Sequence, residues 1–238
     1  MNDGTATLQR GLLDAGPEPG VTRWHSRGYL PHFESGEVIQ HVTYHLADSL
    51  PAEVLARFED ELRAMSPERR DTERRRRIEA WLDAGHGCCI LREPVVAEMV
   101  QSSFLHFDGE RYRLFAWVVM PNHVHVLFQP LAGWTMAKIV ASWKSFTGRR
   151  IAEYMDGVGW ERQAPAWHSQ RSQGERRIWQ REYWDRFIRN ERHFYTVISY
   201  IHQNPVKARL VEKAEDWEWS SARSGARLEP GGPGGEQP

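Results

Sequence analysis

Cysteine is almost missing: of 238 residues only the neighbours Cys88 and Cys89 carry thiols. Adjacent cysteines rarely bridge each other, and two thiolates cannot build a four-cysteine zinc site, so disulfide frameworks and zinc ribbons are excluded. The pair reads as two small buried side chains in a reducing compartment. Long apolar runs are missing too. No stretch approaches the ~20 residues needed to cross a bilayer, and the first twenty residues lack the basic-then-apolar order of a secretion signal. The expected location is therefore cytoplasmic, with no membrane partner. An excess of one charge is also absent, since 31 Lys and Arg stand against 32 Asp and Glu for a net charge of −1. A uniformly basic surface is excluded, and any nucleic-acid site must be a local cluster. No GxxxxGK[ST] phosphate loop occurs, so nothing points to nucleotide-driven chemistry.

What remains is the composition of a folded domain, 40% hydrophobic with 11 Trp. Residues 1–22 read as a flexible N-terminal segment and 224–238 as a disordered tail, leaving 23–223 as one domain. Residues 38–46 (VIQHVTYHL) have strand content, and 51–83 show helical periodicity with an arginine-rich run. An amphipathic helix is expected over 93–107. Strands over 112–119 and 123–129 flank the turn Met120-Pro121-Asn122, which makes them an antiparallel hairpin. A long helix over 134–154, a loop over 155–175, strand character over 178–188 and a last helix over 191–204 complete the order. Pro205 disfavours helical geometry at Asn204, so the last helix is expected to stop there. The order predicts an α+β, ferredoxin-like antiparallel sheet with helices on one face and a helical insertion after the first strand.

Chemistry enters with Pro121-Asn122-His123-Val124-His125. Side chains alternate along a strand, so His123 and His125 share one face and can share a cation. In the last helix Tyr200 and Asn204 are four apart, hence neighbours on one helix face. A hydroxyl and an amide oxygen presented together suit a nucleophile and a metal ligand. Tyr195 is the rival nucleophile, but Ser199 stands where a ligand would be needed. Taken alone, each feature reads first as an ordinary strand histidine or a core tyrosine.

Their joint occurrence resembles the HUH endonucleases, and more closely the REP-associated tyrosine transposases. The likeness is carried by residues 27–33 (RGYLPHF), 117–128 (WVVMPNHVHVLF), 183–186 (YWDR), 200–206 (YIHQNPV) and 217–221 (WEWSS), and it spans roughly 24–223. The resemblance implies metal binding by His123 and His125, a nucleophilic Tyr200 and a third ligand role for Asn204. Many relatives have Gln at this last position, and Asn is one methylene shorter. It further implies nicking and rejoining of single-stranded DNA through a 5′-phosphotyrosine link, with Mg2+ or Mn2+ as cofactor. The partner would be single-stranded or hairpin DNA of the REP palindrome type. Contacts to the foot of the hairpin are expected around Arg27 and His32.

Further DNA contacts are read from basic clusters interleaved with aromatics. Lys138, Lys144 and Arg149 lie on the long helix with Trp143 and Phe146, while Arg181, Arg186 and Arg189 crowd the approach to Tyr200. The run Arg74 to Arg77, with acids nearby, reads as a solvated helix surface. Three other functions share parts of this pattern. A relaxase or rolling-circle initiator has the same chemistry but other motif orders. A non-catalytic hairpin-binding protein on the same fold would leave the histidines structural. A small metal-dependent hydrolase would activate water and form no covalent species. Monomer and homodimer are both compatible with the sequence, and the segment after Asn204 can fold back on its own domain.

Overall fold

A computed structural model describes residues 23–26, 31–34, 38–159 and 177–224. Arg27, residues 1–22 and all but the first residue of the 224–238 tail lie outside them. β1 (Arg23–Ser26) and β2 (Pro31–Glu34) pair as a two-stranded antiparallel ribbon. β3 (Gln40–His45) opens the main sheet. It is followed by α1 (Ala52–Leu62), α2 (Pro67–Asp83), α3 (Pro94–Leu105), β4 (Tyr112–Val119) and β5 (His123–Pro130). Then come α4 (Met136–Val158), β6 (Trp184–Phe187), α5 (Glu191–Lys207) and the single turn α6 (Ser221–Ser224).

The sheet runs β4-β5-β3-β6 with every neighbouring pair antiparallel. Counting only its own strands, that is the order second, third, first, fourth, the ferredoxin-like arrangement. The α1–α2 pair is inserted after the first strand, as expected. Of the strand character over 178–188 only Trp184–Phe187 joins the ladder, with Trp179 adding one bridge to Leu46.

Faces are set by alternation. Val42, Tyr44, Val124, Val126 and Phe128 point to one side, where Val96, Val100 and Phe104 of α3 and Ile139, Val140 and Trp143 of α4 cover them. On the other side Ala116, Val118 and Leu127 meet Phe194, Val197, Ile198 and Ile201 of α5. The expectation of helices on one face therefore holds for α3 and α4 and fails for α5. The cause is in the strands: β5 is buried along its whole length, so both of its faces need apolar cover. The i, i+3, i+4, i+7 stripe of α5 supplies it.

The ends of the helices are chemically defined. Thr135 caps α4 by accepting from the Lys138 N–H at 3.3 Å. Gly159, left-handed at φ 61, ends it. That stop comes after Val158, beyond the expected 154, so the start of the expected loop is helical. Asn190 caps α5 through the His193 N–H at 2.9 Å. The expected stop at Asn204 is not observed, because α5 continues through Pro205 to Lys207. In the final turn proline removes a single helical donor. The carbonyls of Asn204, Pro205 and Val206 still accept the N–H groups of Ala208, Leu210 and Arg209 at 2.9 Å each.

The α1–α2 pair is anchored by its own small core of Leu50, Phe58, Ile78 and Leu82, with Trp81 and Trp184 packed against it. The Trp81 indole donates to the Ser49 carbonyl at 2.9 Å. At the opposite edge the chain after α5 returns along β4. Val119 N–H donates to Trp219 O at 2.8 Å, Trp217 Nε1 to Val119 O at 2.9 Å, and Trp117 N–H to Ser221 Oγ at 2.9 Å. The WEWSS motif thus seals an otherwise open strand edge. Cys88 and Cys89 are free and half-buried rather than fully buried, because Cys89 sits at a left-handed turn of φ 50.

Candidate active site

Antiparallel register places residues directly opposite each other on the same face. Thr43 stands opposite His125 and His45 opposite His123. On the other flank of β3, Arg186 stands opposite His41 and Trp184 opposite Thr43. The face that carries the expected histidine pair therefore also carries His41, Thr43, His45, Trp184 and Arg186, and α5 lies across it.

The two rings of the pair are 5.0 Å apart, centroid to centroid, and nearly perpendicular at 89°. Each has its Nδ1 engaged. His123 Nδ1 is 2.7 Å from Asn122 Oδ1, and Asn122 is itself held by donating to the His86 carbonyl at 2.8 Å. His125 Nδ1 lies 2.7 Å from Thr43 Oγ1 and 3.2 Å from His41 Nε2. An imidazole whose Nδ1–H is spent on a neighbour presents its lone pair at Nε2, one of the two nitrogens through which histidine binds metals. Burial, then neighbouring imidazoles and the Lys207 charge, hold His125 well below its ordinary pKa. Burial, then His45 and Lys207, hold His123 at about 3. Both are neutral at physiological pH.

Tyr200 stands over this pair. Its ring is edge-on to His125 at 5.3 Å and to His41 at 5.9 Å. Among the described residues its buried hydroxyl makes no close hydrogen bond, with Glu79 and Asn204 as its polar neighbours. Burial, followed by the Glu79 and Asp83 carboxylates, pushes the phenol far above its usual pKa. One turn further, Asn204 is 1% exposed. Its Nδ2 donates to the Tyr200 carbonyl at 2.9 Å, which only a nitrogen can do, so the amide orientation is dictated. Among the described residues Oδ1 is left buried and without a hydrogen-bond donor. An orphaned buried acceptor costs about 1–3 kcal/mol. Tyr195, the rival, is 42% exposed and touches Phe194 instead.

Residues that the sequence did not single out complete the surroundings. Asp83 Oδ1 is 3.8 Å from His123 Nε2, and Asp83 Oδ2 is 2.8 Å from Lys207 Nζ. That ammonium lies 5.8 Å from the Tyr200 ring. Lys207 reaches the site only because α5 runs past Pro205. His41 and His45 were legible in principle, since His41, Thr43 and His45 alternate like the expected pair. Among the described residues, no group of three or more His, Cys, Asp or Glu is gathered for a cation. The His123 and His125 rings are neighbours, and Asn204 lies one helical turn beyond the tyrosine that stands over them.

The expected DNA contacts divide. Arg186 and exposed Arg189 stand by the Tyr200 cleft, with Arg181 exposed on the approach to β6. Lys138 and Arg149 are exposed on α4, on the far side of the sheet from Tyr200. Phe146 is 45% exposed there and borders a hollow with Arg149. Two assignments are corrected. Trp143 is a core residue, 2% exposed, whose Nε1 donates to the Tyr112 hydroxyl at 3.0 Å, so it offers no face to a base. Lys144 donates to the carbonyls of Gln180 and Arg181 at 2.6 and 2.8 Å, and its ammonium ties the loop before β6 to α4. For His32 the structure describes the backbone, in β2, and Arg27 is outside the described residues.

The fold and the histidine–tyrosine face can be set beside known proteins. Residues 92–204 match the family described as Transposase IS200 like, from the start of α3 to Asn204. The chain is 29% identical over 119 residues to a candidate REP-associated tyrosine transposase of Haemophilus influenzae, a match covering 50% of this chain and 63% of that protein. It is 25% identical over 125 residues to the REP-associated tyrosine transposase of Escherichia coli, covering 52% and 63%. The match thus spans less than two thirds of each curated relative. A solved REP-associated tyrosine transposase bound to a REP hairpin aligns over 87% of this chain and 92% of its own, at 16% identity and a TM-score of 0.47. By these matches the chain is similar to the IS200-like transposases over residues 92–204 and to REP-associated tyrosine transposases over about half of its length. No helix among the described residues is long and apolar enough to cross a membrane.

Proposed function

We propose that this protein cuts and rejoins single-stranded DNA through a covalent link to Tyr200. The observation that supports this is Tyr200, edge-on to His125 at 5.3 Å over a face that also carries His123, with Asn204 one turn further along the same helix. The same residues fit a divalent cation. Neutral imidazoles engaged at Nδ1 and a buried amide oxygen are groups that a cation completes, and His123, His125 and Asn204 would hold it. Bound there, Mg2+ or Mn2+ would polarise a phosphate oxygen as a Lewis acid and orient the phosphate.

The protein alone keeps Tyr200 as a neutral phenol, so a cation at its oxygen would favour the attacking form. In the reaction the Tyr200 oxygen bonds to phosphorus as the bond from phosphorus to the 3′ oxygen breaks. The phenolic proton is lost, and the departing oxygen takes one up as a 3′-hydroxyl. One phosphodiester is exchanged for another, which makes rejoining possible without ATP. The substrate class follows the relatives, which are named for association with REP sequences, and hairpin DNA of that palindromic type is the proposed partner.

The test is incubation of the purified protein with labelled single-stranded hairpin DNA and Mn2+ or EDTA, followed by a denaturing gel. A metal-dependent protein–DNA band is expected that disappears in Tyr200→Phe and in the His123→Ala, His125→Ala double variant. Binding without that band, unchanged in the variants, would leave a hairpin-binding protein and defeat the proposal. Repeated cleavage with no adduct would make it a hydrolase.

A further inference from the structure

The four arginines of the run on α2 are not equivalent. Arg74 pairs with Glu59 at 3.1 Å, Arg76 with Glu73 at 2.7 Å, and Arg77 with Glu73 at 3.1 Å and also with Glu61. Those three charges are neutralised within the helical insertion itself. Arg75 is exposed and makes no ion pair among the described residues. Helical spacing groups it with Thr72 and Glu79, and all three line a cavity of about 370 Å³ that also reaches Tyr200.

Arg186 of β6 lines the same cavity, opposite His41 in the sheet register. Its pKa is lowered first by burial and then by the positive charges of Arg75 and Arg189. Glu79, on the same wall, offsets part of that charge. Two guanidiniums sharing one cavity repel each other in the free protein, and an oxyanion between them turns that repulsion into paired charge-assisted hydrogen bonds. Exposed Arg189 and Arg192 continue the positive line to the start of α5, a track that a polymer can follow.

We propose that Arg75 and Arg186 form one phosphate subsite, through which the inserted helical pair holds a backbone phosphodiester of single-stranded DNA beside Tyr200. The identity of the anion rests on the DNA-joining function proposed above, whereas the cavity that Arg75 and Arg186 share does not. The insertion is then part of the substrate channel, not the plain solvated surface expected from its sequence.

The probe is a fluorescein-labelled oligo-dT strand, with binding followed by anisotropy against KCl in EDTA. Arg75→Gln and Arg186→Gln are each expected to weaken binding about tenfold at low salt and to reduce the salt slope by about 0.7. The double variant should lose less than the sum. Arg76 also lines the cavity, so the control is Arg77→Gln, which removes the same charge from a side chain held by Glu73 and Glu61 and outside the lining, and should leave the slope unchanged. Equal effects of Arg75→Gln and Arg77→Gln would overturn the subsite, and so would fully additive losses. Saturable binding of inorganic phosphate together with oligonucleotide binding indifferent to Arg75→Gln would make it a free-anion site and likewise overturn it. Because the readout involves no metal and no covalent step, the two proposals fail separately. A covalent adduct with no slope change removes the subsite alone, and a slope change with no adduct removes the joining reaction alone.

Discussion

Acidification should destabilise this protein through its buried imidazoles well before its carboxylates protonate. His123 and His45 are 1% and 2% exposed. Burial, then His45 and Lys207, hold His123 at about 3. Burial holds His45 at about 4, opposed by its bond to the Leu46 carbonyl and aided by Lys144. Both folded values lie below the ordinary one near 6.5, so the unfolded chain binds more protons. Their stabilising contribution is complete above the unfolded pKa and is lost as pH falls from there toward the folded values. From about pH 7.5 to 5.5 each such group costs about 1.4 kcal/mol, or about 3 kcal/mol for the two. That is a large part of the ~5–15 kcal/mol typical of a domain. His125 acts in the same direction. His41, held at about 3 by burial and then by Arg186 and His193, borders the open cleft, so solvent screening reduces its share. Glu79 and Asp48 oppose, since burial raises both carboxyls and folding then favours their protonated forms as pH falls. The assay is urea unfolding of metal-free protein at several pH values, for wild type and for His123→Gln and His45→Gln. Each variant should lose about 1.4 kcal/mol of the wild-type pH dependence over that window. Slopes equal in wild type and both variants would refute the argument, because they would require these rings to be as free to protonate when folded as when unfolded.

Asn122→Ala should weaken Mn2+ binding by about 10- to 100-fold in calorimetry, because it removes the group that orients His123 through Nδ1. An unchanged affinity would show that His123 needs no such support. Ser221→Ala should lower stability by about 1–3 kcal/mol in urea unfolding, since it strands the buried Trp117 N–H at the β4 edge. A negligible change would mean that water replaces the serine there.

Short-range periodicity made the first half of the site legible. His123 and His125 share a face because strands alternate, and Tyr200 and Asn204 share one because helices repeat near four. The same alternation in His41, Thr43 and His45 went unused, since nothing local says that β3 lies beside β5 in the register that opposes Thr43 to His125. Trp143 and Phe146 are three residues apart on one helix, yet one is core and the other exposed. Composition sees two aromatics, and only the angle at which α4 meets the sheet separates them. Lys144 was misread for a related reason: a basic side chain looks alike in sequence whether it waits for phosphate or holds two carbonyls.

By itself the amino-acid sequence determined the element order, the antiparallel hairpin, the insertion after the first strand and the four residues with chemical promise. These follow from side-chain periods, turn chemistry and motif order, all of which act within a few residues. Tertiary structure alone decided that α5 crosses the histidine face, that Lys207 and Asp83 join the site, and that Arg75 shares a cavity with Arg186. Those outcomes depend on which apolar faces remain to be covered once the sheet has formed, a condition set by residues far apart in the chain.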